Sequence, residues 1–234
     1  VANPRRKFPW DAVKQTWRDV QLLTSDRAMF HIAIGIMFFW SLAMMAQLNI
    51  DQFAFQGGAT KQTQVAALLV ALVVGLGLGS VLAGVCSGGR VELGILPLGA
   101  GGLVFSAVML FTVEGELYDP SKDWTLSYVA AQILLFLLGF FAGLFNVPLA
   151  AYMQRYSKVE NRGSILAACN FLTFAGMLVT SLFYWMSGNI LHLSAREVFL
   201  LCGVITLPVM IYIVFLIPQA TIRFLAWLVT HTAY

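Results

Sequence analysis

The residues of this chain that can do chemistry are few, neutral and set among hydrocarbon. Gln47, Asn49, Asn146, Asn170, Thr173 and Thr180 each interrupt a long apolar run. Amides and hydroxyls donate and accept hydrogen bonds but carry no charge at ordinary pH. In such surroundings they suit two tasks: holding the polar head of a bound molecule, or bonding one helix to the next. Proton-relay chemistry would need a buried acid or base. His31 is the one candidate, and it falls at the end of its apolar run, where an imidazole is ordinarily an interfacial group. Asp51 sits near the other end of that run. Cys86, Cys169 and Cys202 are far apart and belong to no Cys/His cluster, so neither a metal site nor a cofactor is expected.

The elements that carry these residues follow from charge. Six stretches hold no charged side chain at all: 28–50, 62–89, 93–113, 124–154, 163–195 and 198–222. About 20 apolar residues in a helix cross the roughly 30 Å hydrocarbon core of a bilayer. In lipid the backbone must satisfy its own hydrogen bonds, which makes such segments helices. The pattern predicts an all-α membrane protein with spans at about 28–50, 63–87, 93–113, 125–153, 164–187 and 197–217. Only 11% of the residues are charged, against about 25% in soluble domains. No basic patch with interleaved aromatics is present, which argues against nucleic acid as a partner.

With six spans both ends fall on one side. Eleven Lys and Arg lie on that side: Arg5, Arg6, Lys7, Lys14, Arg18, Arg27, Arg90, Arg155, Lys158, Arg162 and Arg223. Lys61, Lys122 and Arg196 lie on the other. The positive-inside rule places the first side in the cytoplasm and leaves the acids Glu114, Glu116, Asp119 and Asp123 outside. Residues 1–27 are expected to hold an amphipathic helix over 9–24, with Pro9 in its first turn. Trp10, Val13, Trp17 and Val20 line one face. This helix either lies at the membrane interface or packs on another cytoplasmic domain. Ser25 or Asp26 is expected to cap the first span. Residues 218–234 read as a cytoplasmic tail leading to a following domain, and the charged start as part of a longer polypeptide.

Inside the bundle, Gly75, Gly79 and Ala83 form a stripe of small residues for close helix packing. The third and sixth spans are nearly all apolar and are expected to face lipid. Asn170, Thr173, Met177, Thr180 and Tyr184 recur at three- and four-residue spacing and share one face of the fifth. That face either lines a wet cavity or bonds to a neighbouring helix. Two helices with polar or glycine-rich faces followed by a greasy one, repeated, fit a 3+3 inverted repeat.

Several motifs carry a resemblance. They are Gly77-Leu-Gly-Ser-Val-Leu82, Ser87-Gly-Gly-Arg-Val-Glu-Leu-Gly94, Pro97-Leu-Gly99, Asn146-Val-Pro-Leu149 followed by Gln154-Arg155, Asn161-Arg-Gly163, Ala167-Ala-Cys-Asn-Phe171, and the run Arg223 to Thr232. On these the chain resembles the C-terminal six-helix half of a major facilitator superfamily transporter. It is most similar to the transporter portion of bacterial lysophospholipid transporter/acyltransferase fusions. The resemblance implies that residues 1–27 link two halves and that an N-terminal six-helix half is a partner. It also implies that an acyltransferase domain follows Tyr234, in the bacterial inner membrane. The implied activity is movement of lysophospholipid for re-acylation, with Phe38, Phe39, Trp40 and Phe174 beside the acyl chain. A transporter of another small amphipathic solute, or a silent membrane anchor for the acyltransferase, are the alternatives. The superfamily places an acidic–basic pair after Gly84; here Gly88 and Gly89 stand there, with Arg90 and Glu92 as a local substitute. Arg162-Gly163 is similar to the family's short inner-loop signature. Arg155, Lys158 and Arg162 attract anionic lipid heads at about 1 kcal/mol each or simply anchor topology. The fused acyltransferases use a His and an acid with four residues between them. His192 and Glu197 have that spacing, but the acid is Glu and no apolar strand precedes them. The segment itself is therefore not expected to be an enzyme.

Overall fold

Charge-free runs of this length have one way to bury their peptide groups, and each takes it over most of its described residues. The computed structural model describes residues 11–87, 93–119, 121 and 125–216. Among them are seven α-helices and no strand: α1 (Ala12–Ser25), α2 (Arg27–Gln56), α3 (Gln62–Ser87), α4 (Leu96–Phe111, after a 3-10 turn Leu93–Ile95), α5 (Leu126–Tyr156), α6 (Arg162–Asn189) and α7 (Ala195–Leu216). Helices α2 to α7 are long and apolar enough to cross a membrane, so this is a multi-pass membrane protein. Pro9, Trp10, Gly88, Gly89, Arg90, Glu92 and the tail 218–234 lie outside the described residues.

The helix ends are set by side chains. Asp26, rather than Ser25, caps α2: its Oδ1 accepts from the N–H of Ala28 at 3.0 Å and of Met29 at 3.2 Å. Thr125 caps α5 through the N–H of Tyr128 at 3.1 Å. Helix α2 continues past residue 50 to Gln56, because no breaker occurs before Gly57 and Gly58, and the latter has φ +92°. At 1.5 Å per residue its 30 residues reach about 45 Å. Asp51, Gln52 and Gln56 thus belong to a helix that projects beyond the hydrocarbon.

Successive helices run antiparallel. The ends of α2, α4 and α6 meet the starts of α3, α5 and α7 at one end of the bundle, here the Gly57 end. The opposite, Asp26 end gathers the starts of α2, α4 and α6. Helix α3 packs on α5, α2 on α6, α4 on α7, α4 on α5 and α2 on α7. Helices α2 and α5 also touch, and α2–α3 and α5–α6 are lighter contacts. Helix α1 lies on α6 and α2, so it packs at least in part on the bundle.

The tightest contact is the α3–α5 seam. A Cβ on Gly75 would stand 2.0 Å from the Phe136 carbonyl oxygen, and one on Gly79 would stand 1.9 Å from that of Phe140. The seam is reciprocal: a Cβ on Gly139 would stand 2.0 Å from the Leu72 oxygen, and one on Gly143 would stand 2.5 Å from the Ser80 nitrogen. The expected stripe of Gly75, Gly79 and Ala83 is buried, and Gly139-x-x-x-Gly143 is its partner. Gly77 and Gly84 face the other way and have nothing near them.

Of the two greasy spans α4 does not sit outermost, whereas α7 packs on α4 and α2 and leaves Val204, Leu207 and Ile211 exposed. Helix α4 lies between α5 and α7, with Gly99 against Phe145 and Gly102 against the Phe141 ring. Gly203 of α7 receives Val108 of α4. The widest exposed faces belong to α3 and α6. Hydropathy cannot separate lipid-facing from core-facing apolar residues, because lipid tails and leucine are equally apolar.

The seam gives a stability test. Gly79→Ala drives a methyl into backbone and should cost about 1–3 kcal/mol, read as a lower thermal midpoint in detergent. Gly77→Ala meets open space and should hold or raise the midpoint, since Ala favours helix by up to about 1 kcal/mol. Equal effects at the two positions would show that the seam does not hold the bundle.

Candidate functional site

The polar residues singled out above do not converge on one point. Helices α2 and α6 run parallel, with Gly176 against Met37 and Ser41 and Tyr184 against Leu48. That register puts Asn170 level with α2 residues 33–36, about 16–21 Å along the axis from Gln47. Helices α2 and α5 are antiparallel, and Gly35 meets Leu149, which brings Asn146 level with Phe38. Asn146, Asn170 and Thr173 therefore share a depth towards the Asp26 end. Gln47 and Asn49 stand near the Gly57 end, and Thr180 lies between.

Their surroundings differ as much as their depths. Asn49 is completely buried. Its Nδ2 donates to the Ala195 carbonyl at 2.8 Å, while its Oδ1 has no partner. Thr173 is buried and its hydroxyl donates back to Cys169 O at 2.9 Å. Tyr184 donates to Leu48 O at 3.1 Å and lies 2.8 Å from Gln52 Oε1. The face of α6 that carries Thr173 and Tyr184 is thus a packing face against α2. Asn170 and Gln47 are exposed. Asn146 is half-buried, and its Oδ1 has no partner. The residues able to meet a ligand without breaking a described hydrogen bond are Asn146 and Asn170 at one depth, Gln47 at the other and the half-buried Thr180 between. Trp40 and Phe174 are exposed beside them, whereas Phe39 is buried.

A partly open cavity of about 80 Å³ lies among α2, α3, α4, α5 and α7. Phe39, Leu76, Leu103, Leu138 and Thr206 are among its walls, and none of the six candidate binding residues is. The Thr206 hydroxyl is turned back onto Cys202 O at 2.6 Å. Its apolar lining offers water few hydrogen-bond partners.

At the Gly57 end a set of cross-helix hydrogen bonds emerges that the sequence did not signal. Gln56 Oε1 accepts from the Ala195 N–H at 2.9 Å, beside the Asn49 bond to the same residue. Gly57 O accepts from the N–H groups of Leu117 and Tyr118 at 2.8 and 3.0 Å. Tyr118 donates to Gln64 O at 2.9 Å, and burial together with the neighbouring Tyr128 raises its phenol above the ordinary value. Glu197 is not poised beside His192. It closes a capping box with Ser194, whose N–H and hydroxyl lie 2.7 and 2.8 Å from Oε2. His192 is an exposed turn residue with φ +51°. At the Asp26 end, Arg162 Nη2 reaches Ser157 O at 3.4 Å. Gly163 is exposed in the first turn of α6, and Arg155 is exposed in the last turn of α5. No group of His, Cys, Asp and Glu that could hold a metal occurs among the described residues.

The packing and ligand-facing roles separate in one experiment. Asn49→Ala strips a buried carbonyl of its donor and should cost about 1–3 kcal/mol. Tyr184→Phe should cost less, about 0.6 kcal/mol, as interhelical hydrogen bonds in membranes average. Asn170→Leu should leave the thermal midpoint in detergent unchanged. A loss at Asn170 equal to that at Asn49 would make it a packing residue.

Comparison with protein-family models, with curated proteins and with solved structures finds no match to this chain.

Proposed function

We propose that this chain is one half of a secondary-type transporter that moves a lipid-like amphiphile, with lysophospholipid as the substrate class. The observation that carries the reading is the pattern of helix pairing. Exchanging α2, α3 and α4 for α5, α6 and α7 maps α3–α5 onto α2–α6, α4–α5 onto α2–α7 and α2–α3 onto α5–α6. The α4–α7 and α2–α5 contacts map onto themselves. A three-helix unit used twice gives that result. An odd number of spans per unit starts the second copy on the opposite face, which is the inverted repeat of many transporters.

The chemistry of the spans supports a lipid-like substrate. Apart from His31 and Asp51 towards the two ends of α2, the described spans offer neutral amides and hydroxyls and much apolar surface between their end turns. A coupled ion or sugar transporter ordinarily needs intramembrane ionisable groups. An amphiphile needs an apolar path for its chain and a few hydrogen bonds for its head, which Asn146, Asn170 and Gln47 can supply. The excess of Lys and Arg at the Asp26 end supports a cytoplasmic location for that end.

Two measurements test this. Labelled lysophosphatidylethanolamine should enter proteoliposomes holding the full polypeptide faster than protein-free vesicles. Asn170→Leu should lower that rate several-fold, and Thr173→Val, whose hydroxyl is already spent on its own helix, should not. Uptake no faster than in protein-free vesicles rejects transport and leaves a membrane anchor. For orientation, a membrane-impermeant thiol reagent should label Cys86, which is exposed near the Asp26 end, from the cytoplasmic side alone. Labelling from the outside would invert the topology.

A further inference from the structure

Helix α1 does not seat its whole apolar face on the bundle. Leu23, near its end, is completely buried, but Val13 and Trp17 are 84% and 65% exposed. Between this first part of α1 and α6 runs an open groove of about 790 Å³, within the range of roughly 300–1,000 Å³ usual for ligand sites. Val13, Trp17 and Val20, spaced as one helical face, form one wall, and Phe171 and Leu172 of α6 form the other. Lys14 and Arg18 stand on the lip of the same groove. Beyond it, Phe174 and Leu178 continue an exposed apolar track along α6.

Two apolar walls held apart, with cations beside them, match an occupant that is apolar in one part and anionic in another. Water would leave the walls unsatisfied. A hydrocarbon chain fills the gap, and an anionic head meets the two cations. The position agrees: Phe171 lies nine residues into α6, about 14 Å from its start, where headgroups give way to chains. Trp17 is the kind of amphipathic ring that settles at that boundary. Lys14 sits 3.7 Å from Asp11, but both side chains are about three-quarters exposed, and such a pair is weak and readily exchanged. Asp19, the other acid in this part of the helix, does not line the groove.

We propose that the groove between α1 and α6 binds one anionic phospholipid. Its chain lies between Trp17 and Phe171, and its phosphate lies on Lys14 and Arg18. This requires the chain to be in a membrane and does not require transport.

The test uses the purified protein in nanodiscs of phosphatidylcholine doped with brominated-chain phosphatidylglycerol or, at equal mole fraction, brominated-chain phosphatidylcholine. The Trp17 signal is the emission lost in Trp17→Phe. Brominated phosphatidylglycerol should quench it at a mole fraction lower by an order of magnitude or so, the preference two cations beside an anionic head can supply. Lys14→Gln with Arg18→Gln should abolish the preference while the thermal midpoint holds. Because Trp17→Phe itself alters the groove, Phe171→Trp in that background reports from the opposite wall and should show the same preference. Equal quenching by the two lipids, shielding from both, or a preference that survives the double substitution overturns the proposal. Shielding from both would assign the groove to a protein segment.

Discussion

Close backbone approach at the α3–α5 seam is the contact on which the other contacts are built. Lipid tails are as apolar as leucine, so hydrocarbon burial gives these helices little reason to associate. What remains is short-range dispersion, which grows with contact density. Gly75 and Gly79 facing Gly139 and Gly143 remove the side chains that would hold the two backbones apart. With α5 placed in this way, its Phe141 and Phe145 fall over Gly102 and Gly99 and locate α4. Helix α4 in turn locates α7 through Val108 over Gly203, and Leu149 over Gly35 locates α2. Each step is a large side chain entering a glycine gap on the next helix, so the order of packing is written in glycine positions more than in hydrophobicity.

Hydrogen bonds then divide the bundle into two unlike ends. A helix start leaves N–H groups without partners in the helix. At the start of α7 the Ala195 N–H is taken by Gln56, and its carbonyl accepts from Asn49. Tyr184 ties α6 to α2 there, and Tyr118 and the Gly57 carbonyl tie in the neighbouring loops. Described cross-helix hydrogen bonds concentrate there. Ser157 Oγ near Met29 Sδ, at 4.0 Å, is a weak example from the opposite end. Under the proposed transport reading, a unit laced at one end and interdigitated through its length would rock as a whole, as opposed to sliding helix by helix.

The number of spans, their alternation and the glycine stripe of α3 were legible because each rests on a local rule: run length against bilayer thickness, parity, and four-residue spacing. The partner of the stripe was equally legible as Gly139-x-x-x-Gly143, a pattern of the same kind on a helix read for its polar residues instead. The placement of α4 was not legible, because a greasy helix looks the same in lipid and in a core. The candidate site was legible only in composition. Asn49 and Asn170 are the same residue type in similar apolar runs, yet one satisfies a buried carbonyl 146 positions away and the other is exposed. That difference is fixed by helix rotation and register, which depend on distant packing. The extension of α2 to Gln56 was hidden by Asp51, a charge that ends an uncharged run without ending a helix.

The neutral interior also constrains what this face could pass under the proposed reading. An anionic head moving past these helices would find no Lys or Arg between the end turns of the described spans, so its charge must be met by water or by cations at the Asp26 end. Neutral amides help with only part of that task, since they replace a few hydrogen bonds of hydration and none of its long-range field. Helix α1 alters the balance, because it carries Lys14 and Arg18 beside the exposed apolar track of α6. A chain lying on Phe171, Phe174 and Leu178 could keep its head at those cations while its tail changes neighbours. On this argument the selectivity for lipid resides less in a pocket than in the adjacency of an apolar helix face and a cationic edge, an arrangement that a water-soluble solute has no means to exploit.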